Sequence, residues 1–336
     1  AAFRNGKTVI SANKALICEH GQELFKAAQD ARVHYLYEAS VAGGIPIIKV
    51  IQEAFVGNRI TSLQGILNGT SNYILTRMER ESMGYEPALA EARALGYVEQ
   101  DESLDLDGID AAHKLLILAY LCFHQWFPID SIQIEGIRPV SLADIRAASR
   151  LGCKVKLIAT LKEHSDSGEI ECSVRPSLVS RHNNLASVDD AFNGLRIQGD
   201  IVGTNFLIGR GAGRMPTTSA VLSDVVDFCR GAGHRRPLDH GNRLLMANPE
   251  RIVQRYYIRL EVADVKGVLS EVTRSLSQNN ISISTIEQEL HPKEKTATLI
   301  LTTHHCAESN IRNVSSDLAK RDFLRNAVVV YPILED

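Results

Sequence analysis

Apolar positions recur with two different periods along this chain, and the changes of period mark out its parts. "TVIS" reads as a short strand, and "ANKALICEHGQELFKAAQDA" after it as an amphipathic helix with Leu16, Leu24 and Ala27 inward. "VHYLYEAS" predicts a second strand. The turn Val41-Ala42-Gly43-Gly44-Ile45-Pro46 then opens a helix running through Glu53. Proline just inside a helix start costs nothing, because that N–H has no helical partner anyway. Strand alternating with helix is α/β grammar. "ITSLQGIL" predicts a strand, "NGTSNYILTRMERE" a loop and a helix, and "EPALAEARALG" a helix closed by Gly96. From Gly152 to Ile208 the pattern turns strand-rich, in "KVKLIATLKE", "EIECSVRPSLV" and "LRIQGDIVGTNFLIG". The glycine-rich turn "GRGAGRMP" leads into "TTSAVLSDVVDFCR", an amphipathic helix, and residues 231–253 read as a linker.

The last part has its own logic. "YIRLEVAD" alternates apolar Ile258, Leu260 and Val262 with polar Arg259 and Glu261, as a half-buried strand does. "VLSEVTRSLSQNN" places Val268, Leu269, Val272 and Leu276 on one helical face. "ISISTIEQEL" and "TATLILTT" are strands, "AESNIRNVSSDLAKRD" a helix and "AVVVYPIL" a strand. The order over 254–336 is therefore βαββαβ, a ferredoxin-like module. The fold class predicted is α/β and α+β combined.

Composition narrows the function. A length of 336 residues leaves room for two domains and a third small one. A formal net charge of -3 argues against nucleic acid or an anionic membrane surface as a partner. The apolar run Leu115–Phe123 is too short to span a bilayer, and the first residues have no apolar signal-peptide core. Six cysteines at 18, 122, 153, 172, 229 and 306 include no CxxC pair. They read as reduced thiols of a cytoplasmic protein rather than a disulfide or zinc framework. Eleven histidines include no HExxH spacing.

The densest chemistry lies in "LGYVEQDESLDLDGIDAAHK", which packs six carboxylates between Glu99 and Asp110 before Lys114. On a helix starting near Gly108, Asp110 and Lys114 are neighbours on one face, and Ile117, Leu118 and Leu121 continue that face toward the core. From spacing alone an ordinary ion pair at a helix start is the plainer reading. Against it stands the cost of desolvating a lysine, large unless carboxylates surround it. A lysine so placed can give or take a proton. A calcium loop fails on spacing, since its glycine at position six would require an acid at Ser103. In "GILNGTSN" the N–H groups of a helix start, around Gly69 and Thr70, could hold a carboxylate, or Thr70 or Ser71 could simply cap the helix. "GRGAG" is G-x-G-x-G and not the dinucleotide G-x-G-x-x-G, so its phosphate reading is weak. "EASVAGGIP" turns tightly on two glycines, as a structural turn or a ring of carbonyls for a cation.

Taken in order, "TVISANKAL", "YEASVAGGIPII", "GILNGTSNYIL", "ALGYVEQDESLDLDGIDAAHK" and "GRGAGRMPTTSAVLSDVVD" closely resemble homoserine dehydrogenase over essentially the whole chain. The terminal module resembles the ACT regulatory domain of bacterial members. The resemblance implies that residues 1–37 are the end of a Rossmann-type NAD(P)-binding domain, whose Gly-rich phosphate loop lies in a half not represented here. It implies a catalytic, substrate-binding and dimerisation domain over 38–230, with 209–230 packing back on the nucleotide domain, and an ACT domain over 254–336.

By the same resemblance Lys114 is the catalytic proton donor, held by Asp110, and Lys14 lies near cofactor and substrate. Glu99 and Asp110 bind homoserine, with Asp105 in the same set; the helix-start N–H groups around Gly69 and Thr70, read from the residues alone, are expected to hold its carboxylate. Gly96, Gly211 and Gly213, with Lys14, approach NAD or NADP. Glu38, with the carbonyls of Val41, Gly43 and Ile45, matches a sodium site; separately, the turn from Asp264 to Gly267 before the helix at Val268 offers N–H groups to an amino-acid carboxylate, with Asn280 reaching in from a neighbouring subunit, and threonine is the effector expected from the family. The implied reaction interconverts L-homoserine and L-aspartate 4-semialdehyde in threonine, methionine and isoleucine biosynthesis, in a homodimer or homotetramer. A chain without the phosphate loop is expected to be inactive alone. The contending class is a non-catalytic amino-acid-binding regulator built on the ACT module, which would have no need of Lys114 beside a carboxylate cluster.

Overall fold

The computed structural model describes residues 1–98, 101–231 and 244–335. β1 (Val9–Ile10), α1 (Lys14–Asp30) and β2 (Tyr35–Leu36) come first, with the two strands parallel. α2 (Ile47–Lys49) continues as a π-helical turn over Val50–Ala54, and β3 (Ile60–Ile66) precedes α3 (Gly69–Arg80) and α4 (Tyr85–Ala94). After α5 (Ser103–Leu106) and α6 (Ile109–Phe123) come β4 (Gln133–Ile134), α7 (Leu142–Arg150) and the long strands β5 (Cys153–His164) and β6 (Glu169–Ser180). The segment "LRIQGDIVGTNFLIG" folds as a hairpin of β7 (Phe192–Gly199) and β8 (Gly203–Arg210), and α8 (Arg214–Cys229) follows. The last part contains β9 (Val253–Ala263), α9 (Val268–Gln278), β10 (Ile283–His291), β11 (Thr296–Thr303), β12 (Cys306–Ala307), α10 (Glu308–Leu318) and β13 (Val329–Leu334). Among the described residues no helix is long and apolar enough to cross a membrane.

The chain divides into two compact units that do not follow chain order. One comprises Ala1–Arg138, Leu157–Arg175 and Ser187–Met246. The other comprises Pro139–Lys156, Pro176–Ala186 and the chain from Ala247 onward. The second unit thus includes more than the 254–336 module. Most of the linker expected at 231–253 lies outside the described residues.

In the first unit β3 is antiparallel to both β5 and β7, with Leu63 opposite Leu161 and Ile197. These apolar positions and Leu115–Leu118 of α6 are almost fully buried. α6 starts after Gly108 at φ +83° and ends on His124 at φ +57°, left-handed residues that stop the helix at each end. α1 buries a different face from the one expected. Ile17, Gly21 and Ala28 point inward, while Leu16 is 38% exposed and Ala27 is exposed too. The cause is Trp126: a Cβ on Gly21 would stand 2.2 Å from its ring, so the helix is rotated to lay its glycine on the indole. α8 likewise buries only Ala220 and Asp224, leaving Leu222, Val226 and Phe228 of its expected apolar face exposed.

In the second unit the strands run β10-β11-β9-β13, the order of a βαββαβ sheet, and β13 continues parallel to the end of β6, with Ile333 opposite Leu178. Ile258, Leu260 and Val262 of β9 pack with Val272 and Leu276 of α9 and Ile311, Val314 and Leu318 of α10. Leu269, expected on the same face, is exposed. Arg259 departs from its strand's alternation more sharply. Its guanidinium is buried on Asp144 of α7 at 2.7 Å, with the Tyr257 hydroxyl donating to the same oxygen at 2.9 Å. Asp144 is also half of a capping box, accepting from the Ser141 N–H at 2.9 Å. Burial, and then the Asp144 carboxylate, push the Tyr257 phenol well above its usual range.

Candidate active site

Leu67 and Asn68, leaving β3, and the start of α6 build one polar cluster in the first unit. Asn68, and not Thr70 or Ser71, caps α3: its Oδ1 accepts from the Ser71 N–H at 2.7 Å. Its Nδ2 donates to Asp105 Oδ1 at 2.7 Å and to Asp110 Oδ2 at 2.9 Å. One asparagine thereby ends a strand, starts a helix and bridges two buried carboxylates. Thr70 Oγ1 donates to the Tyr97 carbonyl at 2.7 Å, tying the turn after α4, with Gly96 at φ +71°, to the first turn of α3.

Asp110 is the centre. Its Oδ2 receives Lys114 Nζ at 2.7 Å and its Oδ1 lies 3.0 Å from Lys14 Nζ. Both Asp110 and Lys114 are buried, at 6% and 8% exposure, whereas the Lys14 side chain keeps 29%. Burial works against an ionised Asp110, but the ammoniums of Lys114 and Lys14 and the hydrogen bonds from Lys114 and Asn68 outweigh it and hold the carboxyl at about 2. A second acceptor for Lys114 is the Leu67 carbonyl, 2.7 Å from Nζ. Lys114, Asp110, Lys14, Asp105, Gly69 and Thr70 are thus brought into one neighbourhood, while Glu99 lies outside the described residues.

Sequence reasoning missed Asn68 and Asn193. Asn193 Nδ2 donates to the same Leu67 carbonyl at 3.0 Å. The only sequence signal for Asn68 was its place three residues before Ser71, where an N-cap belongs. Asn193 had none.

The glycine-rich turn meets the "EASVAGGIP" turn. The Gly44 N–H donates to the Arg210 carbonyl at 2.9 Å, and a Cβ on Gly44 would stand 2.5 Å from that oxygen. Gly211 packs directly on the Asn193 amide, and Gly213, at φ +114°, heads α8. A Cβ at 211 would lie 2.1 Å from the amide carbon, so any larger residue there displaces the Asn193 side chain. Glu38 behaves differently from expectation. Its two carboxylate oxygens accept the N–H groups of Ile48 and Lys49 at 3.1 and 3.0 Å, so the side chain caps α2. Burial nevertheless pushes it up to about 7. The Ile45 carbonyl accepts the Ile47 N–H at 2.7 Å. Among the described residues no three or more His, Cys, Asp or Glu side chains are grouped to hold a metal ion.

In the second unit Gly267, at φ +96°, heads α9 next to buried Val268, and the Asp264 N–H donates to the Lys295 carbonyl at 3.0 Å. Asn280, at φ +56°, lies past the other end of α9.

Comparison with known proteins assigns a family to both parts of the chain. Residues 46–226 match the homoserine dehydrogenase family and residues 256–323 the ACT domain. A homoserine dehydrogenase of Neisseria gonorrhoeae is 35% identical, covering 98% of this chain and 77% of its own length, and one of Pseudomonas aeruginosa 38% identical with the same coverage. A crystal structure of a homoserine dehydrogenase from Thiobacillus denitrificans superposes with a TM-score of 0.90 at 36% identity, covering 99% of this chain and 78% of that one. A hyperthermophilic archaeal homoserine dehydrogenase in complex with NADPH matches at a TM-score of 0.60 and 30% identity, over 70% of this chain and 68% of that one. With the buried lysine–carboxylate cluster on one unit and the βαββαβ module on the other, the chain belongs to the homoserine dehydrogenase family of NAD(P)-dependent oxidoreductases and carries an ACT domain.

Proposed function

We propose that Lys114 is the proton-transferring residue in the interconversion of L-homoserine and L-aspartate 4-semialdehyde. One observation carries the reading: a buried ammonium is held between Asp110 Oδ2 and the Leu67 carbonyl, each at 2.7 Å. An ammonium has three N–H donors, so two bonds fix its direction and one remains for a reacting oxygen. Toward homoserine, Lys114 gives a proton to the alkoxide that develops on the aldehyde oxygen; toward the aldehyde it takes the proton back. Asp110 orients it. Lys14, on the other oxygen of Asp110, places a second cation beside the first. Glu99 is assigned to the substrate ammonium and the Gly69 and Thr70 N–H groups to its carboxylate. The Ser71 N–H is already used by the Asn68 cap, so the first two N–H groups of α3 are the ones to consider.

NAD(P), when bound, supplies the hydride acceptor for C4 of the alcohol and the donor for the reverse direction. The turn at Gly213 fits such a group, because Gly213 heads α8 with no side-chain cap and the N–H groups of the helix's first turn follow it. A sodium ion fits less well. The Glu38 carboxylate is committed to the backbone N–H groups of Ile48 and Lys49. For the ACT domain, the Gly267 turn at the head of α9 is assigned to an amino-acid effector, threonine being the candidate.

The test is Lys114→Ala in the full-length enzyme. kcat should fall by about 10²–10⁴-fold, the range for loss of a general acid or base, with homoserine KM changed far less. A variant that keeps most of its turnover returns Lys114 to a structural ion pair.

A further inference from the structure

We infer that Asn193 is a positioning residue for this reaction, which registers the Lys114 ammonium against the glycine-rich turn. The inference rests on the catalytic reading of Lys114 and extends it to a residue 126 positions from Leu67 in sequence. Asn193 is fully buried in β7, where it pairs with Gly209 of β8. Its Nδ2 donates to the Leu67 carbonyl at 3.0 Å, and Lys114 Nζ donates to that same oxygen at 2.7 Å. One carbonyl thus takes two donors, and the position of either constrains the other.

On its other side the amide meets Gly211. A Cβ there would stand 2.1 Å from both the amide carbon and Nδ2, so the turn rests on this side chain with nothing between. Among the described residues Asn193 Oδ1 has no hydrogen-bond partner although it is buried. Leaving a buried amide oxygen unpaired is costly, and an apolar residue of similar shape would avoid that cost. A merely space-filling role does not account for an asparagine. The Nδ2 contact with Leu67 does.

The residue is itself held in place. Asn72 of α3, also fully buried, directs Nδ2 at the carbonyls of Val188, Asp190 and Phe192 at 3.0, 2.9 and 3.2 Å. That pins the segment entering β7 to the helix whose cap bridges Asp105 and Asp110. Misplacing a reacting group by about 1 Å can cost about 10²-fold in rate. Loss of the Asn193 donor leaves the Leu67 carbonyl, and with it Lys114, less tightly directed.

The experiment uses Asn193→Ser, which shortens the side chain, and Asn193→Asp, which keeps its shape and removes the Nδ2 donor. Both are made in the full-length enzyme, alone and combined with Lys114→Ala, with folding checked by circular dichroism. Each single variant should lose about 10–100-fold in kcat while KM for homoserine and for NAD(P) moves less than about threefold. In the Lys114→Ala background the same change should cost less than about twofold, because its effect passes through the lysine. A folded Asn193 variant with undiminished kcat, or one whose loss multiplies in full with that of Lys114→Ala, overturns the inference and leaves Lys114 catalytic. If Lys114→Ala itself keeps its turnover, both readings fall. Should one variant not fold, the other decides.

Discussion

Removing the Asp144 carboxylate should destabilise the second unit far more than a typical helix residue would. Asp144 is fully buried and answers three demands at once. It accepts from Arg259 Nε at 2.7 Å, from the Tyr257 hydroxyl at 2.9 Å, and from the Ser141 N–H and hydroxyl at 2.9 and 2.7 Å. Asp144→Ala strands a guanidinium that is itself 6% exposed. Breaking a buried ion pair on one side costs about 3–5 kcal/mol, and losing a cap about 1 kcal/mol. Arg259 keeps Glu261 at 2.7 Å as a partly exposed partner, which places the expected loss near the lower end, at about 4 kcal/mol. The single tryptophan, Trp126, belongs to the first unit, so its fluorescence is the wrong probe. Hydrogen exchange read on peptides covering α7 and β9 should show protection falling by about 10³-fold. Asp144→Asn, which retains an acceptor for Ser141 but not the charge, should fall between. Replacing the pair together, as Asp144→Leu with Arg259→Met, should be milder than Asp144→Ala, since no buried charge is left alone. A loss in Asp144→Ala below about 1 kcal/mol, or a double variant as weak as the sum of its parts, would refute the account.

Two further expectations concern the sites. Asp110 is held at about 2 from an ordinary 3.8, so its ionised form adds about 2 kcal/mol of stability. A depressed carboxyl contributes fully above the unfolded value and loses that contribution as pH falls through the folded one. The difference between the wild type and Asp110→Asn should therefore shrink between pH 4 and pH 2, and urea titrations followed by Trp126 fluorescence that show a constant gap would contradict it. In the ACT domain, Gly267→Asp puts a charged side chain on a residue at φ +96° and should raise the threonine concentration for half-inhibition at least about tenfold. An unchanged inhibition curve would remove Gly267 from the effector site.

What the sequence made legible was local. The Asp110–Lys114 pair followed from four-residue spacing, and the βαββαβ order from periodicity, because both are decided within a few turns of chain. The misses share one cause. Asn68 meets carboxylates 37 and 42 positions away, and Asn193 a carbonyl 126 away, contacts that no window along the chain contains. Arg259 read as the solvent side of a strand because its partner stands on a helix 115 residues earlier. The inward face of α1 was misread by one residue, since a ring at Trp126 and a gap at Gly21 outweigh the leucines around them.

The parallel pairing of β13 with β6 bears on how the protein is made. Residue 333 finds residue 178, and Arg259 finds Asp144, so the second unit cannot close until β13 has left the ribosome. At about 5–20 residues per second, α7 and the end of β6 must wait roughly 6 to 30 s for their partners, with apolar Leu178 and Val179 unpaired meanwhile. High contact order slows such closure further. Cotranslational collapse is thus available to the helices of the first unit, whereas the second unit, with its ACT domain, closes only once β13 has emerged.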